Sequence, residues 1–363
     1  MKPLQLPWKG RDVPCATLDV LRVCNIRCQY CYNIRGAKIK PLDAVLKELD
    51  ELTRLRNLQS IIISGGEPLL HPNLPDILRA VRVKGLRSLL LTNGVLLDEA
   101  MTQTLRDAGA DIVALHIQEG QERPDLSNNT SPDEIRRLRD EKAALLVRHG
   151  LTPGLSITIE LEEPEPIRHL LEYFNNSPHY GYLLLCAAFQ HGALKFYRKE
   201  DRDCGRFAPN TLAVVLRENG FLPLVWLSAV HDPNVAQWMA FHSLQRRKDG
   251  KPRGIRPLRA SLLEIASLRL ARALTGRHAF VMRTKPWLSI TRQLLNALSG
   301  GGLCGAWFLI KALLYGEHIM DKHIVLEMPP VPKPEGGTTC CHDCPNATLR
   351  NGKLVALCQA DMD

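Results

Sequence analysis

Leu18-Asp19-Val20-Leu21-Arg22-Val23-Cys24-Asn25-Ile26-Arg27-Cys28-Gln29-Tyr30-Cys31 sets an apolar run directly ahead of three cysteines spaced C-x3-C-x2-C. The run Leu18–Val23 predicts a strand buried on both faces. A compact loop with this spacing can turn three thiolates toward one point. Soft thiolates select iron–sulfur clusters or zinc. A structural zinc ion needs four protein ligands. Three cysteines with no adjacent fourth leave one metal position open, as a cluster requires if it is to bind a chelating cofactor.

Outward from this stretch, apolar runs alternate with helix-like segments up to about residue 190. Further strands are expected at Ser60–Ser64, Ser88–Thr92, Ile112–Ile117, Leu155–Leu161 and Tyr182–Ala187. Helices are expected at Pro41–Leu55, Leu74–Val83, Glu99–Ala108, Pro132–His149 and Pro166–Asn175, with start signals at Asp98 and at Ser131-Pro132. Six βα units imply parallel strands joined by right-handed crossovers. The pattern alone fits a doubly wound sheet or a partial barrel. In a barrel, residues just after the strands lie on the rim where active sites form.

Composition excludes several classes. The 363 residues are 45% hydrophobic and 23% charged, ordinary for a chain that buries a sizeable core. No secretory h-region opens the chain, and no window reaches the roughly 18 apolar residues that span a bilayer. Three of the eleven cysteines fall within Cys24–Cys31 and four within Cys340–Cys358, so they read as metal ligands, not as a disulfide framework. A cytoplasmic protein is expected. The net charge of +9 is concentrated at Arg246, Arg247, Lys248, Lys251, Arg253, Arg256 and Arg259.

The cysteine stretch, with Tyr30 ahead of Cys31, resembles the signature of the radical S-adenosylmethionine (radical SAM) superfamily. Ser64-Gly65-Gly66-Glu67-Pro68-Leu69-Leu70 resembles its GGEP motif, and Leu91-Thr92-Asn93-Gly94 a strand-end segment common in it. His116-Ile117-Gln118-Glu119-Gly120 lies where members carry a polar segment after the fourth strand. Singly, these pieces have plainer readings: turns, a buried histidine, a zinc site. Their order along a βα scaffold joins them.

The resemblance implies an α/β fold, a partial (β/α)6 TIM-like barrel. It implies a [4Fe-4S] cluster on Cys24, Cys28 and Cys31, and S-adenosylmethionine held by Tyr30, Gly65, Gly66, Glu67, Pro68, Asn93, His116 and Gln118. Glu67 would accept from an ammonium group. An electron from the cluster would cleave the cofactor to a 5′-deoxyadenosyl radical, which takes hydrogen from the substrate. An electron donor such as flavodoxin or ferredoxin is implied.

At the other end, Cys341, Cys344 and Cys358 have the spacing C-x2-C-x13-C, and Asn351-Gly352-Lys353 predicts a hairpin that folds Cys358 back toward Cys344. The segment resembles the auxiliary-cluster region of the MoaA family, which implies a second [4Fe-4S] cluster. The arginine-rich run of that family is replaced by Pro345–Arg350, and the paired terminal glycines by Asp361-Met362-Asp363, so a guanine nucleotide substrate does not carry over. A zinc knuckle is the alternative. Cys340, His342, Cys304 or Cys204 could add a ligand, whereas Cys15 and Cys186 read as small core residues.

Three regions are expected: a barrel over 1–190, a largely helical substrate-capping region over 191–330, and a cluster segment over 331–363. The middle region contains the predicted helix Leu258–Leu274, a glycine-rich break at Ser299–Gly302, and, at its end, the stiff run Pro329–Pro334. Its basic stretch suggests peripheral contact with an anionic membrane or with a phosphorylated, lipophilic substrate, the alternative being solvated arginines on a core helix. No cobalamin-binding region or N-terminal leader-recognition domain is visible. The expected function is hydrogen abstraction from a small or lipid-like metabolite. The alternatives are maturation of a ribosomal peptide, or a non-catalytic zinc or iron–sulfur protein that binds nucleic acid, the latter partner being disfavoured.

Overall fold

The computed structural model describes residues 3–31, 33, 36–127, 130–160, 164–188, 209–228, 236–259, 262–276, 304–328, 331–332, 338–339, 343–357 and 360. Its elements, in chain order, begin with β1 (Leu4–Gln5), β2 (Cys15–Asp19), β3 (Arg27–Cys28), α1 (Leu42–Leu55), β4 (Ser60–Ser64), α2 (Leu74–Val83), β5 (Arg87–Thr92), α3 (Glu99–Ala108) and β6 (Ile112–Leu115). There follow β7 (Gln121–Glu122), α4 (Pro132–Arg148), β8 (Thr152–Ile159), α5 (Pro164–Asn176) and β9 (Tyr182–Ala187). The remainder comprises α6 (Pro209–Glu218), β10 (Pro223–Ser228), β11 (Ala236–Lys248), β12 (Lys251–Pro257), α7 (Leu262–Thr275), β13 (His318–Glu327), β14 (Val331–Pro332), β15 (Thr338–Thr339), β16 (Ala347–Arg350) and β17 (Lys353–Ala356).

The six expected parallel strands are present as β2, β4, β5, β6, β8 and β9, side by side in that order. Each of the first five is followed by one of the helices α1–α5. The helices pack apolar faces on the sheet, for example Leu74, Ile77, Leu78 and Val81 of α2, while all four residues of β6 are buried. The expected start signals act as read. Asp98 accepts from the Met101 amide at 2.7 Å, and Ser131 and Glu134 form a reciprocal capping box. The first strand starts earlier than expected and ends at Asp19, because the chain must then turn into the cysteine loop.

Residues 191–330 also carry strands beside their helices: β9 pairs in parallel with β13, β13 pairs antiparallel with β11, and β11 is flanked by β10 and β12. β1 pairs with β10, so the N-terminal segment closes this end of one eleven-stranded sheet. The strand β11 escaped detection because polar residues occupy its buried positions: Gln237, Ser243, Gln245, Arg246 and Arg247. That pattern erases the apolar alternation on which strand recognition depends.

Two residues of the basic stretch are buried in this part of the fold. Arg247 is fully buried, and its guanidinium donates to the carbonyls of Asn175 (3.0 Å), Asn176 (2.8 Å) and Gly250. Arg246 pairs with Glu317 at 3.0 Å and lies over the Phe308 ring. Lys248 donates to the Tyr315 carbonyl at 2.8 Å. Lys251, Arg253 and Arg259 are exposed. The helix α7 overlaps its predicted range, but Leu270 and Leu274 on it are exposed. The Ser299–Gly302 break lies outside the described residues. No helix among those described is long and apolar enough to cross a membrane.

The C-terminal hairpin forms as expected. β16 and β17 pair around Asn351 (φ 49°) and Gly352 (φ 74°), the left-handed pair that a tight hairpin turn requires. The hairpin packs beside β2, where Arg350 and Arg22 both pair with the buried Asp19. Arg56, itself buried, donates to the carbonyls of Cys15 (2.7 Å) and Cys344 (2.9 Å). These contacts hold Cys344 at the first-strand side of the sheet.

Candidate active site

The chain beyond β2 stays pinned to the end of β4. The Val20 amide donates to the Ser64 carbonyl (3.0 Å), the Gly66 amide to Leu21 (2.8 Å) and the Glu67 amide to Val23 (2.8 Å). This ladder delivers Cys24 to the rim, and it explains the paired glycines. A Cβ on Gly65, whose φ is +144°, would stand 2.4 Å from the Leu21 carbonyl oxygen, and one on Gly66 would stand 2.0 Å from that of Val23. The resemblance assigns both glycines to S-adenosylmethionine; in the fold they also admit the chain's own cysteine-bearing segment. Gly66→Ala is therefore expected to displace Leu21–Val23, to cost about 1–3 kcal/mol, and to lower the iron retained after reconstitution. Wild-type iron content and an unchanged melting temperature would contradict this account.

Glu67 is 1% exposed. Its carboxylate accepts from Thr92 Oγ1 (2.7 Å), the Leu69 amide (2.9 Å) and the Asn93 amide (2.7 Å). Burial raises its pKa while these bonds oppose the rise. Glu67 thus ties the end of β4 to the end of β5. Asn93 passes the constraint on: its Nδ2 donates to Asn25 Oδ1 at 2.8 Å and lies 3.9 Å from Cys24 Sγ. The loop is held from its other side by β3–β7 pairing, which sets Cys28 opposite Gln121.

Cys24, Cys28 and Cys31 face one cavity with Tyr30, Gly65, Gly66, Glu67, Asn93 and His116. The Cys28 thiol is pushed up to about 12, first by burial and then by the neighbouring Cys31 and Cys24. A thiol whose ionisation its two cysteine neighbours disfavour belongs to a donor set that an electropositive group would stabilise. Among the described residues no three ligands are gathered tightly enough for a single metal ion; around a cluster the thiolates stand farther apart. The donor set fits an iron–sulfur cluster.

Tyr30 donates its hydroxyl to Glu160 and accepts from Gln29. The ring Nδ1 of His116 donates to the Ser156 carbonyl at 2.8 Å, leaving Nε2 as an acceptor, and burial lowers its pKa, so the ring is neutral near pH 7. Pro68 and Gln118 do not line the cavity. Gln118 instead accepts from the Thr158 amide at 2.8 Å, bracing the end of β8.

The cavity also joins the two ends of the chain. Residues of all six parallel strands or the turns after them line it, so the sheet curls around it as a partial barrel does, and Cys344 borders it too. Cys340, Cys341, Cys358 and the alternative ligands Cys204 and His342 lie outside the described residues. Cys304 is exposed and does not line the cavity. Cys15 packs against the core, as expected, whereas Cys186 also borders the cavity. Sequence reasoning missed Ser156, Thr158, Gln237, Trp238 and Glu327, all of which line it. They carry no local motif and meet only through sheet pairing.

A thiol-lined cavity at the strand ends of a βα sheet is the arrangement of a radical SAM domain. Residues 18–174 match the family model described as "Radical SAM superfamily", so the chain carries a radical SAM domain. It is 35% identical over 113 residues to the probable GTP 3′,8-cyclase of Methanococcus maripaludis (strain C5), covering 30% of this chain and 37% of that protein. It is 31% identical over 156 residues to the PqqA peptide cyclase of Granulibacter bethesdensis, covering 41% and 40%. The crystal structure of Streptococcus suis SuiB bound to S-adenosylmethionine aligns with 49% of this chain and 42% of that one, at 16% identity and a TM-score of 0.39. The chain spans less than half the length of these curated relatives.

Proposed function

We propose that this chain is an enzyme that reductively cleaves S-adenosylmethionine and uses the resulting radical to take a hydrogen atom from a small or lipid-like metabolite. The observation that carries the reading is the bracing of the cysteine loop by Gly66, Glu67 and Asn93 over a single cavity. When bound, the cluster and its cofactor supply the one-electron chemistry that breaks the sulfonium carbon–sulfur bond.

The residues of the chain have distinct tasks in this reading. Cys24, Cys28 and Cys31 hold the cluster and leave one iron open. Gly65, Gly66 and Glu67 fix the loop, while Asn93 orients Cys24 and Asn25. His116, neutral and with Nε2 free to accept, offers a hydrogen-bond acceptor to the cofactor or substrate. Cys341, Cys344 and Cys358 hold a second cluster, with Cys344 bordering the same cavity. Electrons arrive from a flavodoxin- or ferredoxin-like donor. The apolar lining, including Ile26, Ile62, Leu91, Leu184 and Met328, supports a largely apolar substrate.

The test is anaerobic reconstitution, metal analysis, and incubation with dithionite and S-adenosylmethionine. About eight iron atoms per chain, with matching sulfide, are expected, together with release of 5′-deoxyadenosine. Intact clusters without release would overturn the reading. Zinc without sulfide would favour the non-catalytic alternative.

A further inference from the structure

The wall of the cavity formed by the later strands contains a carboxyl group with no assigned task. Glu327 ends β13, in register with Trp238 of β11 on one side and Cys186 of β9 on the other. Asn346 Nδ2 donates to its Oε1 at 2.5 Å, the Cys186 thiol donates to Oε2 at 3.8 Å, and the Trp238 side chain is a third donor. All three donors are neutral. Glu327 is partly accessible, as a residue that lines the cavity, yet deep enough that desolvation dominates and raises its pKa.

No lysine or arginine is among the described residues that line the cavity. The cations behind its wall are committed elsewhere. Arg123 forms a two-pronged pair with Asp125, and Arg56 binds the carbonyls of Cys15 and Cys344. Glu67, the other carboxylate, spends both oxygens on internal donors. A buried carboxylate without a counterion is costly, and an arriving cation removes that cost. The same surroundings oppose a phosphate, which would meet carboxyl groups and, among the described lining residues, no positive side chain.

We propose that Glu327 anchors the substrate by pairing with a protonated amine carried on an otherwise largely apolar molecule, and that the cavity rejects phosphorylated compounds. This rests on the reading that the cavity holds a radical SAM substrate, and it narrows the substrate class. Asn346 and Trp238 fix the carboxyl group, and the apolar wall receives the rest of the molecule.

The test uses the full chain, reconstituted anaerobically and saturated with S-adenosylmethionine. Equilibrium dialysis against 2-phenylethylamine, 2-phenylethanol and 2-phenylethyl phosphate compares three head groups on one apolar body. The amine is expected to bind at least tenfold more tightly than the alcohol, and the phosphate more weakly than both. Glu327→Gln should bring the amine to the level of the alcohol, and Glu327→Asp should retain part of the preference. Absence of an amine preference in the wild type, or its survival in Glu327→Gln, overturns the proposal. So does a loss of S-adenosylmethionine affinity in Glu327→Gln with amine binding unchanged, which would assign the carboxyl group to the cofactor. Release of 5′-deoxyadenosine by the same wild-type preparation reports separately on the parent reading. Release without amine preference sinks only the anchor; no release sinks the enzyme reading.

Discussion

Cys28→Ser is expected to abolish dithionite-driven release of 5′-deoxyadenosine and to remove about four of about eight iron atoms per chain, leaving those of the C-terminal group. Serine keeps the size of the side chain but is a poor ligand for iron in a thiolate cluster. Cys28 sits between the other two cysteines, and its β3–β7 pairing to Gln121 is made by the backbone, so the loop should keep its place in the variant. Unfolding free energy of the metal-free chain should change by less than about 1 kcal/mol. Iron and activity are then lost without loss of the fold. Retention of eight iron atoms with full release would remove Cys28 from the ligand set, and with it the reading of the whole loop.

The second large effect concerns the frame. Lys322 is fully buried on β13. Its ammonium donates to the carbonyls of Phe174 (2.7 Å), Ser177 (3.0 Å) and Tyr180 (2.7 Å) and lies over the Phe174 ring at 4.6 Å. Arg247, from β11, takes the Asn175 and Asn176 carbonyls between them. Two strand cations therefore cap the C-terminus of α5, where orphan carbonyls and the negative end of the helix dipole gather. Lys322→Ala leaves three buried carbonyls without their donor and is expected to destabilise the chain by about 3 kcal/mol or more. Lys322→Met, which restores the apolar stem but not the donor, should recover only the smaller packing part. Urea unfolding of the three proteins decides it. A loss below about 0.5 kcal/mol, the size of a surface substitution, would mean that the cap carries little of the stability.

The cap also bears on how much could be read in advance. Arg246 and Arg247 stand in a run of seven basic residues, and such a run reads as a solvated or membrane-facing surface. Arg247 bonds backbone carbonyls some 70 positions earlier, and Arg246 pairs with a carboxylate about as far downstream; a backbone carbonyl has no sequence signature. The same holds for Glu327. Nothing near it in the chain suggests a site, because Cys186, Trp238 and Asn346 reach it across strand pairings and a hairpin.

Gly65-Gly66-Glu67 lies between these cases. The motif marks the end of β4, and the packing gives its parts tasks beyond those the resemblance implies. The glycines admit the Leu21–Val23 backbone, and Glu67 holds the β5 end while lining the cavity.

Read alone, the chain establishes the six parallel strands and the five helices between them, the cysteine spacing at Cys24–Cys31, the Asn351-Gly352 hairpin and the helix caps at Asp98 and Ser131. These are local: hydrophobic period, turn stereochemistry and ligand spacing are complete within a few consecutive residues. Only the tertiary structure decides that β10, β11 and β13 continue the sheet, that Cys344 borders the same cavity as Cys24, Cys28 and Cys31, and that the cavity's described lining contains two carboxyl groups and no cation. Those facts depend on which distant segments pair, and the pairing follows from burial and hydrogen bonding summed over the whole fold.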